Sequence, residues 1–184
     1  MLQVRKNVFE TNSSSTHSLV ISKKDREYDY CLPVEDDGTL VVTFGEFGWG
    51  PEVLAQPIEK LTYLVTDRCN LYDLSEEDPH EGEELQEFIK SDENIQEIIE
   101  VVKSCCPDVQ DIRFELCDSW DPFGYVDHQS QGTSYESGLS IEEIIFSNKV
   151  IILIDNDNSC NFEEYYTDWQ GNPPTRDIEN LFRV

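Results

Sequence analysis

Two polar segments of this chain contain residues of the kinds that act in catalysis. Residues 11–18 place six hydroxyl side chains around His17, and Asp127 precedes a second histidine, His128. A hydroxyl beside an imidazole can serve as an activated nucleophile, and the three ionisable groups could form an acid–base pair or a metal site if the fold brought them together. The residues of this alternative polar site are Thr11, Asn12, Ser13, His17, Asp127 and His128.

The same N-terminal segment also has a structural interpretation, which we favour. It lacks the glycines of a phosphate-binding loop. Asn12 and the neighbouring hydroxyls are instead typical of a tight connection in which side chains satisfy backbone groups. An enzyme or nucleotide-binding protein that uses this segment is therefore the alternative hypothesis.

A run of carboxylates is the second group of residues that could bind a ligand or partner. Residues 73–100 contain twelve acidic residues and a single basic residue, Lys90. In a helix over residues 92–104, Glu93, Glu97 and Glu100 share one outward face. They are spaced roughly 4.5–6 Å apart along the axis, the same order as successive backbone phosphates. Such a face predicts a nucleic-acid mimic that binds the arginine and lysine groups of a DNA- or RNA-handling protein. The predicted partner-binding residues are Glu76, Glu77, Asp78, Glu83, Glu84, Glu87, Asp92, Glu93, Glu97 and Glu100.

A solvated surface that maintains solubility is the other explanation of these acids. Like charges four residues apart destabilise a helix by about a few tenths of a kcal/mol per pair, which favours a role outside folding. A specific interface also needs aromatic anchors beside the acids. The candidates are Phe88, Trp120, Phe123, Tyr125, Tyr165, Tyr166 and Trp169, each of which could equally be a core residue.

Length and net charge restrict the classes of function. The 184 residues predict a single domain over residues 1–184. The formal charge is −26, from 13 basic and 39 acidic residues. A surface this negative repels phosphates, so we predict no direct nucleic-acid binding and no binding to anionic membranes. The sequence shows no apolar stretch of membrane-spanning length and no signal core, so we predict a cytoplasmic protein.

We recognise no metal-binding or cofactor-binding motif in the sequence. The six cysteines show no zinc-binding spacing and are predicted to be free thiols. The segment that starts at Asp155 begins like a calcium loop, but Cys160 replaces the required glycine and Tyr166 the bidentate glutamate. We therefore predict no metal and no cofactor.

Hydrophobic periodicity predicts the elements that position these residues. Strands are predicted at about 2–9, 17–22, 39–44, 111–117 and 149–154. Helices are predicted at about 55–67, 82–90, 92–104 and 140–147, with a long loop over 118–138. Ser91 is predicted to cap the third helix, and Ser140 with Glu143 forms a capping box for the fourth. The pattern indicates an α+β single domain with a mixed or antiparallel sheet of about five strands and three to four helices.

Three blocks of the sequence resemble a known family. Residues 5–18, which include FETNSSSTHS, residues 45–49 and residues 127–130 are similar to small proteins of phages and mobile elements of Firmicutes. The resemblance supplies no established catalytic residue. By size and charge alone, such proteins resemble acidic anti-CRISPR inhibitors of type II effectors, some of which imitate DNA.

The resemblance implies that the partner is a Cas9-type nuclease, whose nucleic-acid channel and PAM-reading arginines are cationic. The leading prediction is thus a phage-type, non-enzymatic inhibitor that acts in the host cytoplasm. It would bind a host nucleic-acid-processing enzyme through the acidic surface. A virion or structural component is a third possibility that the charge does not exclude.

Overall fold

A computed structural model describes residues 15–22, 31–48, 50–71, 74, 79, 81–119, 121–126, 133–156 and 178–183 of the chain. Helices and strands are mixed in an α+β domain, as the sequence predicts. In chain order the elements are β1 (Ser15–Ser22), β2 (Thr39–Thr43), β3 (Glu46–Phe47), β4 (Glu52–Leu54), α1 (Pro57–Arg68), α2 (Gly82–Lys90), α3 (Glu93–Cys105), β5 (Asp111–Glu115), β6 (Tyr125–Val126), α4 (Thr133–Glu136), α5 (Ile141–Phe146), β7 (Val150–Asn156) and β8 (Ile178–Arg183).

The strands are divided among several sheets, which corrects the prediction of one sheet of about five strands. The largest sheet has the order β4-β7-β1-β8, and each neighbouring pair is antiparallel. β2 pairs in parallel with β5, and β3 pairs in parallel with β6. Parallel pairs need a long crossover connection, and α1, α2 and α3 provide it between β2 and β5. The predicted strand at 2–9 lies outside the described residues.

Apolar side chains that repeat at helical or strand spacing form the core. On α3, Ile95, Ile98 and Val102 are buried in one stripe, as predicted. In β7, residues 151–154 are all buried, which is typical of a strand covered on both faces. Among the described residues, no helix is long and apolar enough to cross a membrane.

The connection between α2 and α3 corrects one predicted cap. Ser91 does not cap α3; it follows the last residue of α2, and its hydroxyl donates to the Phe88 carbonyl at 2.7 Å. Asp92 is the N-cap of α3 instead, because its carboxylate accepts from the backbone N–H groups that open the helix. The predicted capping box of Ser140 and Glu143 on α5 is confirmed.

Side chains of α2 fix this helix to the edge of β5. The Gln86 amide donates to the Phe114 carbonyl and accepts from the Phe114 N–H, both at 2.8 Å. The amide thereby occupies the position of a neighbouring strand and covers the edge of β5. The Lys90 ammonium also donates to the Asp111 carboxylate at 2.9 Å. These contacts hold α2 in a fixed orientation against the sheet.

Candidate functional site

The outer surfaces of α2 and α3 carry six exposed carboxylates, as the helical spacing predicts. We call this set the acidic face; its members are Glu83, Glu84, Glu87, Glu93, Glu97 and Glu100. Three other predicted partner-binding residues lie outside the described part of the chain, namely Glu76, Glu77 and Asp78. At a rise of about 1.5 Å per residue, Glu93 and Glu97 are separated by about 6 Å along the α3 axis.

The acidic face has no cationic partner within the described part of the chain, where none of its six carboxylates joins an ion pair or a hydrogen bond. The basic residues of this part engage other groups. Arg113 lies 3.8 Å from Glu35 and 3.7 Å from Glu115. Lys60 and Arg68 are buried. No ion pair within the described residues therefore compensates the charge of the acidic face.

The two lysines of α2 and α3 both act on Asp111, the first residue of β5. Partial burial raises the pKa of Asp111, but the hydrogen bond from Lys90 and the charges of Lys90 and Lys103 hold it below its ordinary value. Lys90 and Lys103 follow Glu87 and Glu100 by three residues and are their neighbours on the helix surface. Within the described residues, however, Lys90 forms its ion pair with Asp111, and neither lysine forms one with the acidic face.

Asp92 does not belong to the acidic face, which corrects its place in the predicted partner-binding set. Its side chain is buried, with 8% of the residue exposed. One carboxylate oxygen accepts from the N–H groups of Asn94 and Ile95, each at 3.0 Å. The other accepts from the N–H of Asn70 at 3.1 Å. Asp92 therefore joins the start of α3 to the segment after α1 and is not free to bind a partner.

We expect Asp92→Ala to lower the free energy of unfolding by about 2 kcal/mol, because a helix cap and a further buried hydrogen bond are lost. Asp92→Asn is the matched control, since asparagine also caps helices well and should cost less than half as much. Urea denaturation followed by circular dichroism measures both changes. An unchanged stability of Asp92→Ala would contradict the capping role.

Further hydrogen bonds make α3 a rigid support for its carboxylates. The Asn94 amide donates to the Arg68 carbonyl at 2.8 Å, which ties α3 to the end of α1. The Gln96 amide donates to the Lys90 carbonyl at 3.0 Å and so satisfies an end group of α2. Together with the buried apolar stripe, these bonds fix the direction in which Glu93, Glu97 and Glu100 point.

The alternative polar site stays a prediction. Thr11, Asn12, Ser13, Asp127 and His128 lie outside the described residues, as does the side chain of His17. The backbone of His17 belongs to β1, opposite Ile154 of β7. α4, which begins five residues after His128, packs against β1.

Three of the predicted aromatic anchors lie among the described residues, where Phe88 and Tyr125 are half-buried and Phe123 is buried. Phe123 is buried, with its ring edge-on to that of Phe44 at 5.4 Å between centroids. Phe88 packs against the same core at 6.5 Å from Phe123. Trp120, Tyr165, Tyr166 and Trp169 lie outside the described part. The exposed aromatic that the sequence analysis missed is Tyr135 of α4.

The five described cysteines form no disulfide bond with one another, as predicted, and burial disfavours the reactive thiolate at three of them. Burial raises the pKa of the Cys69 thiol to about 12. Burial also raises the pKa values of Cys105 and Cys106. A thiol with a raised pKa is a poor nucleophile at neutral pH because little thiolate forms. Within the described ranges, no three His, Cys, Asp or Glu side chains are grouped so that they could hold a metal ion.

The fold and the acidic face define a class: an α+β domain that presents uncompensated carboxylates from two packed helices. The chain matches no protein-family model, no curated protein and no solved structure. Its function is therefore argued from the charges and contacts of this surface.

Proposed function

We propose that this protein is a non-enzymatic inhibitor that binds a nucleic-acid-processing enzyme through the acidic face. The observation that supports the proposal is the set of six exposed carboxylates on α2 and α3, none of which forms an ion pair with a basic residue in the described part of the chain. A cationic nucleic-acid-binding groove supplies the arginine and lysine groups that such a surface lacks.

Electrostatic repulsion within the acidic face favours this proposal over a simple solubilising surface. Glu83 and Glu87 are four residues apart on α2, and Glu93 and Glu97 are four residues apart on α3. Each such pair destabilises its helix by about a few tenths of a kcal/mol. Lys90 and Lys103 lie on the same helices, but within the described residues neither forms an ion pair with these glutamates, and Lys90 pairs with Asp111. A partner with positive charge would relieve the repulsion that the described residues leave in place.

Residues 5–18 resemble phage and mobile-element proteins, and by size and charge alone such proteins resemble acidic inhibitors of type II effectors. For this reason the partner that we propose is a Cas9-type nuclease. Such a nuclease holds its guide–target heteroduplex in a cationic channel and reads the PAM with arginines. An acidic protein in either place would exclude target DNA. The field of the acidic face would also steer its association with such a channel. The proposed place of action is the cytoplasm of the host cell.

Competition with target DNA tests this function. A fluorescent duplex that carries the PAM and the guide-matched sequence is titrated with Cas9–guide RNA in the presence of increasing amounts of the inhibitor. We expect the apparent Kd for the duplex to rise in proportion to inhibitor concentration. Filter binding or fluorescence anisotropy provides the measurement.

Salt dependence provides the second part of the test. Because the Debye length falls from about 10 Å at 0.1 M salt to about 3 Å at 1 M, we expect the affinity for the nuclease to fall at least about tenfold between these conditions. An affinity that does not change with salt would argue against an electrostatic mimic. Binding that leaves the duplex in place would show that the protein acts elsewhere on the nuclease, and lack of binding would exclude this nuclease as the partner.

A further inference from the structure

Tyr135 combines exposure with a fixed position. The residue is 51% exposed, and within the described part of the chain the exposed large apolar side chains are Tyr135 and Val53. The guanidinium carbon of Arg68 lies 4.3 Å from the centre of the Tyr135 ring. This distance is typical of a cation–π contact, so part of the ring is covered and part faces solvent.

The group beneath the ring is itself held firmly. Arg68 is buried, and its Nε donates to the Ser134 hydroxyl at 2.9 Å. Its Nη2 lies 3.4 Å from the Ser134 carbonyl oxygen. The fully buried Ser134 donates from its hydroxyl to the Asp67 carboxylate at 2.5 Å. The network joins α4 to the end of α1, and the ring of Tyr135 loses little conformational freedom when a partner binds.

Tyr135 is linked to α3, which carries half of the acidic face, through Arg68. Arg68, whose guanidinium contacts the ring, accepts at its carbonyl from Asn94 of α3, and Glu97 follows Asn94 by one helical turn. Burial raises the pKa of the Tyr135 hydroxyl, and the charges of Asp67, Glu97 and Asp92 raise it further, against the opposite effect of Arg68. The hydroxyl is therefore neutral, and the surroundings of the ring contain more carboxylates than cations.

We infer that Tyr135 is the aromatic anchor of the acidic face and makes this face select arginine over lysine in its partner. The inference rests on the proposed function. A partner guanidinium would stack on the exposed part of the Tyr135 ring and pair with the Glu97 carboxylate. Arginine suits this position because its planar, weakly hydrated guanidinium stacks on aromatic rings and binds carboxylates with two hydrogen bonds, whereas the lysine ammonium is a compact, strongly hydrated charge.

Repulsion from Arg68 does not prevent such stacking. The Arg68 charge lies on the covered side of the ring, and the carboxylate of Asp67 offsets it through Ser134. Glu97 adds a second negative charge near the ring. Tyrosine is one of the residue types that are enriched at the energetic centres of protein interfaces.

Binding of two simple peptides to the full chain tests the inference. The probes are an arginine octapeptide and a lysine octapeptide of equal charge, measured by isothermal titration calorimetry at about 0.1 M salt. An exposed cation–π contact is worth about 0.5–1 kcal/mol, so Tyr135→Leu should lower the arginine-to-lysine affinity ratio about twofold to fivefold. Its affinity for the lysine peptide should stay within about twofold of the wild-type value.

Two matched variants complete the test. Tyr135→Phe keeps the ring and should keep the wild-type ratio. Val53→Ala removes the other exposed large apolar side chain, on β4, and should leave the ratio unchanged. Thermal unfolding of each variant shows whether the packing of α4 on Arg68 persists. A ratio that Tyr135→Leu leaves intact in a folded protein would overturn the inference.

The same binding measurements distinguish an error in the proposed function from an error in the inference about Tyr135. If it is correct, replacement of Glu93, Glu97 and Glu100 by lysine abolishes binding of both peptides. If these replacements abolish binding but Tyr135→Leu keeps the ratio, the inference about Tyr135 is wrong and the proposed function stands. If the wild-type protein binds neither peptide, the proposed function is wrong and the inference falls with it.

Discussion

Simultaneous replacement of Glu93, Glu97 and Glu100 by lysine is expected to weaken binding to the target nuclease by at least about a hundredfold. Three charge pairs are lost, and three repulsive contacts take their place at a surface that becomes dry on binding. A hundredfold loss corresponds to about 2.7 kcal/mol, which is modest for the sum of these changes. Surface plasmon resonance with immobilised Cas9–guide RNA measures the loss directly.

The control is a second triple variant in which Asp36, Asp108 and Asp118 become lysine. These residues are exposed, lie outside α2 and α3, and join no ion pair among the described residues. Both triple variants change the net charge by the same amount, so long-range attraction falls equally in each. We expect the control to lose less than about tenfold in affinity. Equal losses would show that total charge, and not its arrangement on α3, determines binding.

The elements that hold the acidic face could be predicted because their sequence signals are local. α2 was predicted at its observed bounds, and α3 is displaced from the prediction by one residue at each end. An apolar stripe at helical spacing identifies α3, and Pro107 follows its end. The same periodicity placed Glu93, Glu97 and Glu100 on the outer surface, and their exposure confirms that part of the prediction.

Elements that depend on distant partners were not predicted. β3 and β6 have two residues each, too few for an alternating pattern to be recognised. They become strands because Glu46 pairs with Tyr125 and Phe47 with Val126, across most of the helical part of the chain. β4, β8 and α4 were missed as well, and α4 lies in a segment that was predicted to be a loop. The local sequence also does not specify how the strands divide among sheets.

Within the candidate site, long-range contacts account for both differences from the sequence analysis. In the sequence, Asp92 is one more acid in a charged run. In the structure its carboxylate is buried and accepts a hydrogen bond from the N–H of Asn70. Tyr135 lies in a polar segment with no sequence signal of its own, yet Arg68 of α1 fixes the position of its ring. Neither Asn70 nor Arg68 is near its partner in sequence. Periodicity therefore identifies the exposed charges but not the residues that contacts between elements bury or orient.

Gly124→Ala is expected to lower the free energy of unfolding by at least about 3 kcal/mol, because a side chain there meets backbone atoms. Gly124 has a φ of +63°, in the left-handed region. A Cβ atom at this position would lie 2.1 Å from the carbonyl oxygen of Gly45, the same oxygen that accepts from the N–H of Tyr125 at 2.9 Å. Relief of this overlap requires the paired backbones of β3 and β6 to separate.

Gly138→Ala distinguishes this steric overlap from conformational strain. Gly138 has a φ of +71°, but a Cβ atom there meets no other atom within 4 Å. It should therefore cost only the strain of a left-handed alanine, about 1 kcal/mol. Urea denaturation compares the two variants. Equal costs would mean that Gly45 and Gly124 do not approach closely; a larger cost for Gly124→Ala would support the β3–β6 pairing. This pairing positions the neighbouring Phe123, whose ring packs against Phe88 of α2, so its loss should also loosen the helix that carries half of the acidic face.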